Sequence, residues 1–303
     1  MAASPKPSRR MSSPPAGRAE PGSARDPSMK RLLTAAIGTP LILAAVFLLD
    51  NWWFFALMVL LMEGAVWEYA QIGRSHAPQA PLRLLLVLVP AVSVGLSVVL
   101  LESANPDQQR LLLLGGALLL SVGIGTLLLF CRTPLEQMPA ALGVLAFGVL
   151  YFALPTTSLQ LLQRIDPWVI FLLLAIVWLG DTAAYYVGSR IGRHKMAPVI
   201  SPKKSWEGAA ASFGVAIASA AIWSVCRRGG LDAGLLAAAA LTAVAAQIGD
   251  LVESMIKRSS GVKDSGNILP GHGGMLDRMD AMLFAAPVLL FTLWIFGVDA
   301  TPR

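Results

Sequence analysis

Apolar runs of about 18 residues or more recur along the chain, separated by short polar intervals, and each is long enough to cross a hydrocarbon core. Nine spans are predicted, at Leu32–Leu49, Trp52–Ile72, Leu82–Leu101, Leu111–Phe130, Met138–Leu159, Trp168–Gly188, Gly208–Cys226, Gly234–Ile256 and Ala281–Val298. The pattern is that of an all-α polytopic integral membrane protein. A β-barrel would show alternating segments of about 10 residues, which are absent here. Residues 1–28 are rich in Ala, Pro, Ser and Arg and read as a disordered N-terminal extension. Met29-Lys30-Arg31 looks like a natural start. Leu32–Leu49 is long for a cleaved signal peptide, and no small-residue cleavage site follows it. Beyond the extension, about five spans make an N-terminal transmembrane part (29–165). The C-terminal part (166–303) carries two polar loops, 189–207 and 257–280.

Charge refines this picture. Charged residues make up 14% and hydrophobic ones 55% of the chain, against roughly 25% charged in a soluble domain. The net charge of +6 does not point to nucleic acid, because most basic residues sit in short loops beside spans, where they set topology. Nineteen Lys and Arg fall in the N-terminal tail and alternate loops on one side, against five on the other: Arg110, Arg164, Arg227, Arg228 and Arg303. This predicts a cytoplasmic N-terminus and an outside C-terminus. Arg227 and Arg228 sit together on the disfavoured side. Trp52, Trp53, Trp168, Trp223 and Trp294 fall near outer span ends, as an interfacial belt would. The small residues of spans four, seven and eight predict close helix packing. Cys131 and Cys226 lack metal-ligand spacing and fall at opposite membrane faces, so no disulfide between them is expected.

Acidic residues interrupt the spans at Glu63, Glu68, Asp181, Asp250 and Glu253. An intramembrane charge costs at least about 2.5–3.5 kcal/mol near the bilayer centre, which makes each a candidate site. Glu63 and Glu68 read as structural, Glu68 by snorkelling from near a span end. Asp181 is the polar centre of Trp178–Tyr186 and shares a helix face with Tyr185. Asp250, Ser254 and Lys257 lie on one face of a helix that runs into the polar loop. Asp277 and Asp280 are i, i+3 neighbours where the last span begins.

The polar stretch Ser254–Asp280 holds Lys257, Arg258, Lys263 and Arg278 among Asp264, Asp277 and Asp280, with a glycine-rich turn at Gly271-His272-Gly273-Gly274. Such a set suits a phosphate-rich substrate and Mg²⁺, which takes oxygen ligands and bridges to phosphates. Internal ion pairs, such as Asp277 with Lys263, are the alternative. The other loop contributes Ser201-Pro202-Lys203-Lys204-Ser205, whose hydroxyls and ammonium groups suit a triphosphate or lipid phosphate. Ser205 is placed to cap the helix that follows.

The run Ser254-x-Ile256-Lys257-Arg258-x4-Lys263-Asp264-x-Gly266-x2-Leu269-Pro270-x-His272-Gly273-Gly274-Met275-x-Asp277-Arg278-Met279-Asp280 resembles the hallmark of phosphatidate cytidylyltransferases (CDP-diacylglycerol synthases). The Asp181 and Ser201–Gly208 segments are similar to the family's preceding blocks, with Ala183 where glycine is common. The resemblance covers roughly residues 30–298. It implies transfer of the cytidylyl group of CTP to phosphatidate, giving CDP-diacylglycerol and pyrophosphate, with Mg²⁺ and a monovalent cation such as K⁺ beside it. By the same resemblance Asp250 and Asp277 become the leading metal ligands, with Asp280 and Asp264 as supporting ones. Asp250, Asp277, Lys257, Arg258 and Asp181 are then the catalytic set. Ser201, Lys203, Lys204, Ser205, Ser254, Lys263, Asp264, His272, Gly273, Gly274 and Arg278 are the substrate-binding set, with His272 an anchor. A homodimer, a multi-pass location in the cell inner (cytoplasmic) membrane and an active site facing the cytoplasm are expected too.

Two other classes share some of these markers. A polytopic transporter also carries intramembrane acids, although no internal repeat is evident and the charge gathers at one face of the C-terminal half. A CTP-dependent lipid kinase would use the same substrates but direct the lipid's attack to the γ-phosphorus of CTP.

Overall fold

A computed structural model of the chain describes residues 27–102, 133–268 and 273–298, with isolated positions between 116 and 131. The described residues form helices α1 (Pro27–Leu48), α2 (Asn51–Gly73), α3 (Leu85–Glu102) and α4 (Met138–Ile165). They continue as α5 (Pro167–Ile191), α6 (Trp206–Arg228), α7 (Ala233–Ser259) and α8 (Leu276–Ile295). Among the described residues, seven helices are long and apolar enough to cross a membrane. They match the predicted second, third and fifth to ninth spans. The first expected span is occupied by α1, whose described apolar part is the shorter Ala36–Leu48. The expected span Leu111–Phe130 lies outside the described residues apart from isolated positions. So does the extension up to residue 26, while Pro27 and Ser28, expected to be disordered, open α1.

The chain punctuates its spans with side-chain caps. Asp50 accepts from the Trp52 and Trp53 amides, Asp166 from Trp168 N, Ser205 from Gly208 N and Asp232 from Leu235 N. Each satisfies a backbone donor left unpaired at a helix start. Helix α5 contains a π-type turn at Ala175–Leu179, which ends two residues before Asp181. Such local widenings recur near functional positions.

The helices alternate in direction, so the connections gather at two ends. At one end Asn51 bonds Gln163 and Arg227 pairs with Asp166. At the other, Gln79 N donates to Gln137 and Ser75 to Ser260. This second end carries the one β-sheet among the described residues. Lys195–Ala197 and Ser201–Ser205, expected as a loop, pair as an antiparallel hairpin, with Lys195 opposite Ser205.

Arg227 and Arg228, expected on the disfavoured side, are both paired locally. Arg227 contacts Asp166 at 2.8 Å and lies over the Trp168 ring, and Arg228 pairs with Asp232 one turn on. Trp223, expected at the interface, is buried and donates its indole N–H to the Trp168 carbonyl. Small side chains line the packed faces of α6 and α7, among them Ala216, Ala220, Ala238, Ala239 and Ala243, all buried. Cys131 and Cys226 are both free thiols.

Helices α7 and α8 form the most extensive helix pair among the described residues. Gly249 makes this approach possible. A Cβ there would lie 2.6 Å from the Asp280 carbonyl oxygen and 3.2 Å from Phe284. The contact sets Asp250 of α7 beside Asp280 of α8.

Candidate active site

At the hairpin end of the bundle, α5, the hairpin strand Ser201–Ser205, α6 and α7 line a cavity of about 370 Å³. Asp181 and Tyr185 line it from α5, Ser201, Lys203, Lys204 and Ser205 from the hairpin, and Gln247 and Asp250 from α7. The hairpin is held by the Ser205 cap and by Lys204, whose ammonium contacts Asp250 Oδ2 at 2.7 Å and the Gln247 carbonyl at 3.4 Å. Ser254 donates to Asp250 Oδ1 at 3.4 Å, the contact expected from their shared helix face. The carboxylates of Asp181, Asp250 and Asp280 interact with one another and with Lys204. Asp181 and Asp250 thus share the cavity wall with Lys204.

A second charged group adjoins the first through Glu253 and Asp280, which also interact. The Lys257 ammonium lies 2.6 Å from both Glu253 Oε2, one turn back on α7, and Asp277 Oδ1 on α8. Glu253 is 1% exposed. A buried carboxylate without a counter-ion carries a desolvation cost, and a bridging ammonium offsets it. Asp277 also accepts from Ser265 N at 3.1 Å and Gly274 N at 3.0 Å. Asp277 therefore pairs with Lys257, not Lys263. Gly273, which precedes these contacts, has φ +82°, a left-handed conformation that glycine adopts without steric cost.

The predicted residues divide by position. Asp181, Ser201, Lys203, Lys204, Ser205 and Asp250 converge on the cavity, and Ser254 joins them through Asp250. Lys257, Gly273, Gly274 and Asp277 form the neighbouring charged group. Arg258, Lys263, Asp264 and Arg278 are exposed near these residues in sequence, and Arg258 donates to the Val262 carbonyl at 3.1 Å. His272 lies outside the described residues. No group of three or more His, Cys, Asp or Glu side chains with metal-binding geometry occurs among the described residues.

Two participants exceed the expectation. Glu253, in sequence one intramembrane acid among five, is the buried partner of Lys257. Its i, i+4 spacing from Lys257 was the available signal. Glu68, expected to snorkel, is instead buried at 3% exposure. It accepts from Ser265 Oγ at 2.8 Å and Leu276 N at 2.9 Å. No local pattern connects it to a loop almost 200 residues away.

Residues 29–296 match the Cytidylyltransferase family. The chain is 32% identical over 282 residues to a phosphatidate cytidylyltransferase of Pseudomonas aeruginosa, covering 89% of this chain and 98% of that one. It is 32% identical over 300 residues to the Haemophilus influenzae protein of the same name, covering 89% and 99%. The Brucella suis phosphatidate cytidylyltransferase is 39% identical over 198 residues, covering 63% and 72%. With a match that spans both polar groups and the helices that carry them, the chain belongs to the Cytidylyltransferase family.

Proposed function

We propose that the protein transfers the cytidylyl group of CTP to phosphatidate, forming CDP-diacylglycerol and pyrophosphate in phospholipid biosynthesis. The observation that carries this reading is the convergence of the hairpin hydroxyls and lysines with Asp181 and Asp250 on one cavity, at the end of a multi-span bundle, in a chain of this family. A phosphate oxygen of the lipid attacks the α-phosphorus of CTP. One P–O bond forms there, the bond to the β-phosphate bridge breaks, and pyrophosphate leaves. The attacking oxygen is already ionised and needs no base. Catalysis is therefore chiefly positioning and neutralisation of two anionic reactants.

The chain's own residues supply that neutralisation. Lys203 and Lys204 on the hairpin clamp phosphate oxygens, and Ser201 and Ser205 offer hydroxyl contacts. Arg258 at the end of α7, Lys263 in the loop and Arg278 at the start of α8 add further cations, the arginines through bidentate contacts. Lys257 is shared between Glu253 and Asp277, which holds its ammonium at a fixed point. His272 anchors substrate, and Asp264 supports the metal ligands.

Mg²⁺ fits the donor chemistry. It accepts one or two carboxylates and completes its shell with water and substrate phosphate, so it does not require a cage of three acids. Asp250 and Asp280 would hold it, where Lys204 now supplies the counter-charge. Asp277 would contribute as the third aspartate, sharing its charge with Lys257. The ion supplies charge neutralisation at the transferring phosphate. A monovalent cation such as K⁺ belongs to the same proposal.

The site faces the cytoplasm from the inner membrane, where nucleotide arrives from water and lipid from the bilayer. A homodimer completes the proposal. Purified protein given CTP, phosphatidate and Mg²⁺ should release pyrophosphate in step with lipid-dependent CTP loss. No release with both substrates present would overturn the reading.

A further inference from the structure

The last turns of α2 and the residues just after it belong to the N-terminal half, yet they bracket the loop that joins α7 to α8. Near the loop's start, Ser75 donates to Ser260 Oγ at 2.7 Å, and Ser260 donates to the Ile72 carbonyl at 3.2 Å. His76 Nε2 lies 3.1 Å from Ser259 Oγ. At its far end the bracket is Glu68, whose Oε2 takes both the Ser265 hydroxyl and the Leu276 amide. A Cβ on Gly266 or on Gly274 would run into the Glu68 carboxylate, so the loop backbone is laid directly on it.

The same loop residues also grip Asp277. Ser265 gives its hydroxyl to Glu68 and its backbone N–H to Asp277. Gly274 packs against Glu68 and donates its N–H to Asp277. Leu276, held by Glu68, is the residue before Asp277. Two carboxylates from opposite halves of the chain thus hold alternate groups of one short stretch, and one of them contacts Lys257. We propose that Glu68 is a positioning residue for the reaction, fixing the Ser265 and Gly274 amides that orient Asp277 against Lys257. This rests on the reading that Asp277 and Lys257 serve the active site.

Outer partners that orient a charged site residue are worth about 10–100-fold in activity or affinity where they have been removed. Glu68→Ala in the full chain should lower kcat by about that 10–100-fold, with KM for CTP moving far less. Glu68→Gln retains an acceptor oxygen for both donors and should restore most of the rate. Hydrogen exchange read in parallel should show faster exchange at Ser265 and Gly274 in Glu68→Ala, with protection in α4 and α6 unchanged. Should Glu68→Ala fail to insert, Ser265→Ala removes the hydroxyl contact alone and should lower kcat in the same direction. The proposal is overturned by wild-type kcat in Glu68→Ala or Ser265→Ala, by a Gln variant as impaired as Ala, or by unchanged Ser265 and Gly274 exchange. The exchange measurement does not depend on the reaction, so it stands apart from failure of the functional reading.

Discussion

Replacing Gly249 by Ala tests whether the site depends on how closely α7 approaches α8. The new Cβ would start 2.6 Å from the Asp280 carbonyl oxygen, where ordinary van der Waals contact begins at 3.4 Å. The obstacle is backbone, so no rotamer change relieves it, and the helices must part locally by about 0.8 Å, the difference of those two distances. Overpacking of this kind costs about 1–3 kcal/mol. Each 1 kcal/mol lowers the melting temperature by roughly 2–4 °C for a domain of 150–250 residues. The displaced residues are Asp250 and Asp280, and a misplacement near 1 Å can cost about 100-fold in rate. The assay is pyrophosphate release with thermal unfolding in the same detergent. Gly214→Ala is the control, since a Cβ at Gly214 on α6 meets nothing within 4 Å. The expected outcome is a large fall in kcat and a melting temperature several degrees lower for Gly249→Ala, with both near wild type for Gly214→Ala. Wild-type rate and stability in Gly249→Ala would refute the reasoning.

Asp250→Asn and Asp277→Asn should each abolish turnover while leaving membrane insertion intact, as read by pyrophosphate release and by fractionation; full activity in either would remove that residue from the metal set. Lys257→Met strands Glu253, which is 1% exposed, without its counter-ion, at a cost of about 3–5 kcal/mol. Thermal unfolding should show the loss, and adding Glu253→Gln should recover a large part of it. Lys204→Ala should raise KM for CTP or phosphatidate more than it lowers kcat, and unchanged kinetics would return Lys204 to a purely topological role. Ser205→Ala removes the α6 cap and should cost about 1 kcal/mol, seen as a lower melting temperature together with weaker substrate binding at the hairpin.

What could be read from the sequence was what repeats or lies close along the chain. The apolar runs marked seven described spans because each is a continuous stretch of suitable length. Asp250 and Ser254 meet because one helical turn separates them, and Ser205 caps α6 because its target is three residues on. The hairpin escaped notice because five polar and proline-containing residues, Ser201–Ser205, carry no alternating pattern; their extended form comes from pairing with Lys195–Ala197. Lys257 meets Asp277 because α7 and α8 pack side by side, which charge counting could not distinguish from pairing with Lys263. The burial of Glu68 depends on a contact with Leu276 across the fold, so from α2 alone it resembled an acid near a span end.

The most direct test of a cationic and acidic cavity that joins two anionic substrates is the fate of position-labelled CTP. With label on the α-phosphate, purified protein, phosphatidate and Mg²⁺ should move label into the lipid product, and Asp250→Asn should move none. Label reaching lipid only from the γ-phosphate, or equal transfer by wild type and Asp250→Asn, would contradict the account.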